Sequence, residues 1–175
     1  MKTYFENKTI HIALTAAFAF GSAFVASSSY AATATANMPV TASVTAACTI
    51  SAGTLAFGAY DPIVTNKTTN LDGTATLTTT CTTGSSPTIA LDQGVTPTGG
   101  STAAAPARQL LSGTNKLAYS LYSDSGRLTV WGSTGVATPT ATGTAQTNTV
   151  YGAITSGQNP PTGAYTDTVV ATVSF

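Results

Sequence analysis

Over residues 34–46 the even positions are Ala34, Ala36, Met38, Val40, Ala42, Val44 and Ala46, while the odd positions are Thr, Asn, Pro or Ser. An unbroken period of two over thirteen residues is incompatible with a helical stripe and fits extended chain with one buried face. Strands ordinarily run to about five or six residues, so the stretch predicts two strands in series, one ahead of the domain and one leading to Cys48. Pro39 cannot donate a ladder hydrogen bond, which assigns its strand to an edge or to pairing on a limited side.

The last eleven residues repeat the period. Tyr165, Val169, Ala171, Val173 and Phe175 alternate with Thr166, Thr168, Val170, Thr172 and Ser174, which predicts a strand running to the final residue. Shorter strands are expected at 54–57, 74–81, 88–91, 117–122, 128–131 and 149–154, all rich in β-branched or aromatic residues. Turn residues separate them, as in Asp61-Pro62, Leu71-Asp72-Gly73, Asp124-Ser125-Gly126 and Asn159-Pro160-Pro161. Residues 103–111 offer a turn or two of helix, interrupted by Pro106, and 133–148, poor in apolar anchors, reads as a long loop. Many short strands bounded by turns predict an all-β sandwich or barrel. The composition agrees, because 37 of 175 residues are Thr and only 7 % are charged, against roughly 25 % charged in ordinary soluble domains. Hydroxyl-bearing β-branched residues suit the wet face of a sheet.

The N-terminus reads as a targeting segment. Lys2 and Lys8 precede an uncharged stretch over 10–25, followed by small residues ending Ser29-Tyr30-Ala31, the order of a secretory signal peptide. The apolar run is shorter than the ~20 residues a spanning helix needs. Cleavage after Ala31 is expected, with Ser29 and Ala31 at positions −3 and −1; Ala34 and Ala36 are alternatives. It leaves Lys67, Lys116, Arg108 and Arg127 against Asp61, Asp72, Asp92, Asp124 and Asp167, with no His and no Glu. In an exported domain the sole cysteines, Cys48 and Cys81, are expected to form a disulfide. Closing a loop of that length stabilises by roughly 3–4 kcal/mol in the chain-entropy picture. A metal site lacks His ligands and any Cys-x-x-Cys.

The same residues argue against catalysis and against nucleic acid. Without His or Glu, no His-based triad can form and any acid–base pair would need two of the five Asp. Asp61 precedes Pro62, Asp72 precedes Gly73, and Asp92 and Asp124 sit near Gly, so turn formation accounts for these four. Asp167 breaks the terminal alternation and is expected to bind a neighbouring backbone. No Gly-rich phosphate loop occurs, no cofactor is indicated, and the absence of a basic cluster removes the electrostatic basis of nucleic-acid affinity. Trp131, Tyr119 and Tyr122 read better as core aromatics than as a sugar-binding platform. Asn66-Lys67-Thr68 matches a glycosylation sequon only weakly.

Several ordered blocks resemble a known family: Cys48-Thr-Ile50, Leu55-Ala-Phe57-Gly58-Ala-Tyr60-Asp61-Pro62, Cys81, Ile89-Ala-Leu91-Asp92, Leu117-Ala-Tyr119-Ser-Leu121-Tyr122, Trp131-Gly132, and Gly163-Ala-Tyr165-Thr-Asp167-Thr168-Val169 onward to Phe175. The chain resembles the spore coat protein U family, and within it the major pilin subunits of Csu-type archaic chaperone-usher pili. That resemblance implies an incomplete immunoglobulin-like β-sandwich, completed by a donor strand from another subunit. It implies a periplasmic chaperone, an outer-membrane usher, minor or tip pilins and further copies of the chain as partners, with the product a surface fibre for adhesion and biofilm formation. The expected organisation is a signal peptide at 1–31, a donor extension at 32–44 and a pilin domain at 45–175. The alternating segment supplies a donor face of Ala34, Ala36, Met38 and Val40, extended by Ala42 and Val44; Val169, Ala171, Val173 and Phe175 are the candidate acceptor strand. The alternatives are an outer-membrane β-barrel, suggested by alternating strands and a terminal Phe, and a non-polymerising secreted sugar-binding or tip-adhesin domain.

Overall fold

The computed structural model describes residues 31–175, so the expected targeting segment lies almost wholly outside the described residues. Residues 32–41 carry no regular structure and are exposed, and Ala42–Phe175 forms a compact unit described separately below. The two strands expected over 34–46 are not formed; the first strand begins at Cys48. A single strand has no internal hydrogen bonds, so alternation marks which face would be buried but makes no element until a partner supplies the ladder.

Eight strands follow in chain order: β1 Cys48–Ala52, β2 Leu71–Cys81, β3 Thr88–Leu91, β4 Arg108–Ser112, β5 Asn115–Tyr122, β6 Val136–Ala137, β7 Gln146–Ile154 and β8 Ala171–Ser174. They form two antiparallel sheets, one ordered β1-β2-β7-β5-β4 and the other β6-β3-β8. The architecture is an all-β, immunoglobulin-like sandwich. Both sheets are open at their ends, unlike a closed barrel.

Several sequence expectations are corrected here. Residues 108–112 form a strand and not a helical turn, paired with β5 across the two-residue loop Gly113-Thr114. Gly113 adopts φ 63°, the left-handed first position that a tight hairpin turn requires and glycine tolerates. Residues 54–57 form no strand, and 128–131 contribute only the isolated bridge between Tyr122 and Val130. The expected 133–148 loop contains β6 and the start of β7. The terminal strand is confined to Ala171–Ser174, with Phe175 outside it.

The core lies between the sheets. Leu77, Val150, Ile154, Leu117, Tyr119 and Leu121 from the larger sheet meet Ile89, Leu91 and Trp131. Trp131 is 2 % exposed and donates its indole N–H to the Ile89 carbonyl at 2.8 Å. Arg108, 1 % exposed, joins the sheets by donating to the carbonyls of Asp92 and Trp131. Cys48 and Cys81 stand directly opposite in the β1–β2 register and are joined by a disulfide, which pins the edge strand β1 to its neighbour.

Candidate functional site

The described residues leave one side of this core thinly covered, between the C-terminal run and the segment that follows β1. In the run, the inward residues Tyr165, Val169, Ala171 and Val173 are half-buried while the residues between 168 and 174 that alternate with them are exposed. Thus the two-residue period is preserved, yet no residue of the run is fully buried. Across from it, Leu55, Phe57 and Tyr60 are also half-buried and pack on the same core.

Between these walls lie two adjoining cavities of about 280 and 570 Å³. Leu55, Phe57 and Leu110 line both, so they form one cleft. Its floor is apolar: Leu77, Leu91, Leu121 and Val150 under the first part, Leu117 and Ile154 under the second. Clefts of this kind, with apolar lining and little charge, take apolar side chains and not ions.

Small residues in β2 and β7 explain how the wall at 55–57 sits so low. Gly73 and Gly152 are directly opposite in register, and a Cβ built on Gly152 would lie 2.8 Å from Phe57 Cζ and 2.9 Å from Leu55 Cδ1. The two side chains therefore rest where a larger inward residue would stand, and Phe57 meets Tyr119 edge-on with ring centroids 5.9 Å apart.

The hydrogen-bonding edges of the run are equally unequal. Val170 turns both backbone groups toward β3, its carbonyl accepting from Asp92 N–H at 3.0 Å and its N–H donating to Asp92 Oδ1 at 2.9 Å. Thr166 exchanges both bonds with Leu111 in β4. Backbone groups alternate along a strand, so Val169, Ala171 and Val173 direct theirs to the other side. That side has no strand partner among the described residues, because β8 ends its sheet.

One polar group is built into the cleft. Tyr119 donates its hydroxyl to Asp167 Oδ2 at 2.6 Å, and Asp167 Oδ1 accepts from the Val95 and Thr168 N–H groups. Burial, and then the bond to Asp167, hold the Tyr119 phenol well above the ordinary tyrosine range. Burial lowers the Arg108 guanidinium, although arginine keeps its charge in proteins. Asp167 thus ties the C-terminal run to β5. Asp61 accepts from the N–H groups of Ile63 and Val64, Asp124 from those of Leu128 and Thr129, and Asp72 pairs with Arg127 at 3.2 Å. These contacts, with those of Asp92 given above, engage all five carboxylates in turns, strand edges or an ion pair.

The sequence-derived site residues fall as follows. Met38, Val40 and Val44 are 83 %, 82 % and 86 % exposed, and Ala34, Ala36 and Ala42 are exposed beside them. Val169 and Ala171 line the cleft, Val173 packs against the core edge, and Phe175 is exposed. Leu55, Phe57, Leu110 and Tyr119 line the cleft without having been predicted as groove residues; the inward glycines of β2 and β7 were the available signal. The sugar platform does not exist as a surface, since Trp131 and Tyr119 are core residues.

Comparison with known proteins adds three findings. The family model of the Spore Coat Protein U domain matches residues 34–172. Protein U of Myxococcus xanthus is 45 % identical, with 75 % of this chain and 79 % of that protein covered. Among solved structures, a chain of the chaperone–tip adhesion subunit pre-assembly complex from archaic chaperone-usher Csu pili of Acinetobacter baumannii superposes with a TM-score of 0.56 at 22 % identity. That match covers 75 % of this chain and only 40 % of the solved one, and what it establishes is likeness of fold.

Proposed function

The chain belongs to the Spore Coat Protein U domain family, and from that premise we propose that it is a structural pilus subunit polymerising by donor-strand exchange. The N-terminal segment of one copy adds a strand to the free edge of the C-terminal run in the next, a β-augmentation of the kind chaperone–pilin systems use. In this reading residues 1–31 are removed, 32–44 are the donor and 45–175 the pilin domain. The fibre leaves through the periplasm for the cell surface, where it serves adhesion and biofilm formation. A periplasmic chaperone holds the cleft first and an outer-membrane usher is the assembly platform. The remaining partners are further copies in a head-to-tail filament, and minor or tip pilins.

The observation that carries the proposal is the pairing of a free strand edge with an apolar cleft, bounded by Val169 and Ala171 on one side and Leu55 and Phe57 on the other. The alternating, exposed face of Met38 and Val40 supplies a matching occupant. Main-chain bonds would give affinity while the alternate side chains fill the cleft. A contact between two different surfaces of one subunit is heterologous and open, so it propagates as a filament and does not close into a dimer.

The test is electrophoresis of material sheared from the cell surface, with and without boiling. A ladder that collapses to monomer on boiling, and that disappears when residues 33–42 are deleted, is the expected result. Monomer from the intact chain under both conditions refutes the proposal.

A further inference from the structure

Resting on that reading, we propose that Pro39 fixes the direction in which the N-terminal segment enters the cleft, because its missing N–H is harmless in one strand polarity and disruptive in the other.

On the acceptor, the residues whose side chains face the core, Val169, Ala171 and Val173, are also those whose N–H and C=O groups face the free edge. Val170 establishes this parity, since both of its backbone groups are turned the opposite way, to Asp92. On the donor, the core-seeking face is even-numbered, so Pro39 lies on the outward face with Asn37 and Thr41.

The two polarities then differ in which donor residues bond the edge. In an antiparallel pair, directly opposed residues share a face and exchange both bonds when their backbones point at each other. Inward Ala36, Met38 and Val40 would bond the edge, and the proline nitrogen would point away from it. In a parallel pair the slanted bonds run from an inward residue of one strand to the outward residues flanking its opposite number. Outward Asn37, Pro39 and Thr41 would then have to bond the edge, and the place of Pro39 would leave one acceptor carbonyl of the C-terminal run unpaired. The side toward which the proline nitrogen points in the antiparallel case is the 53–60 segment, which forms no strand.

The experiment moves the proline along the full-length chain in cells that assemble the fibre. In Asn37→Pro/Pro39→Ala the proline stays on the outward face, and the boiling-sensitive ladder is expected at the yield of the intact chain. In Ala36→Pro/Pro39→Ala it moves to the inward face, and polymer is expected to fall roughly five- to a hundredfold, the effect of leaving a buried carbonyl without its donor. Polarity is read independently by cysteine pairs on the outward face. Thr35→Cys/Ser174→Cys is expected to give boiling-resistant, reductant-sensitive oligomers, and Thr41→Cys/Ser174→Cys is not. Equal ladders from both proline-shifted variants, the reverse preference, or cross-linking through the second cysteine pair overturns the role of Pro39 while donor exchange stands. Absence of a ladder from the intact chain overturns both.

Discussion

Replacing Met38 and Val40 together by Asp is the sharpest perturbation of the proposed exchange. Both side chains are more than four-fifths exposed in the isolated subunit. Complete burial of such a side chain stabilises by roughly 1.5–3 kcal/mol, so seating the pair in the cleft contributes about 2.5–5 kcal/mol. At 1.4 kcal/mol per factor of ten, that is a reduction of roughly sixty- to several-thousandfold in cleft occupancy when both are lost. The carboxylates add a desolvation penalty of their own, since the Leu77, Leu91 and Val150 floor offers them no partner. Met38→Ala/Val40→Ala, which removes the burial without adding charge, should retain more polymer than the Asp pair. Neither change touches the core of Ala42–Phe175, so the subunit should fold with an unaltered circular dichroism spectrum. The assay is the yield of boiling-sensitive ladder in sheared surface material. Normal ladders from a folded Asp double variant would show that these side chains do not enter the cleft, and the donor assignment would be wrong.

Gly152→Ala brings a methyl group against Phe57 and Leu55; because Phe57 is only half-buried and able to shift, about 1–2 kcal/mol of stability is expected to be lost. Thermal denaturation should show this as a fall of about 3–8 °C in Tm, and an unchanged Tm would refute the close approach. Cys48→Ser/Cys81→Ser should lower stability by roughly 3–4 kcal/mol in chemical denaturation, and the intact chain should approach the same curve in reductant. Tyr119→Phe removes the hydroxyl bond to Asp167 and should cost about 1–2 kcal/mol, read as faster amide exchange over the C-terminal run; exchange unchanged there would refute the tether. Backbone donors, from Val64 first at Asp61 and from Thr129 first at Asp124, hold both carboxyls below their ordinary value of 3.8. A lowered folded-state value means the stabilisation is present above the unfolded value and is lost as the pH falls through the folded one. Asp61→Asn/Asp124→Asn should therefore flatten the acid limb of the stability profile below about pH 4.

Which faces would be wet and which dry was readable along the chain, because side-chain direction in extended backbone alternates with a fixed period and needs no partner to be seen. The terminal run shows this: the inward set Val169, Ala171 and Val173 follows directly from the spacing, and so does the outward place of Pro39. The cysteine pair and the all-β class were legible for the same local reasons, composition and period. What the period does not contain is which strands pair, or with what. Residues 34–46 carry the cleanest alternation in the chain and form no strand, while Arg108–Ser112, which alternates poorly, becomes one because β5 lies across a tight hairpin. The glycines of β2 and β7 stood in the sequence as a signal, but the cleft itself did not, since it is made by Leu55 and Phe57 sinking onto Gly73 and Gly152, residues that meet only when β2 and β7 pair. Hydrogen-bond ladders and cavities are properties of two segments at once. Sequence therefore determined the faces, and only tertiary pairing decided which edge remained free and what depth of apolar surface lay beside it.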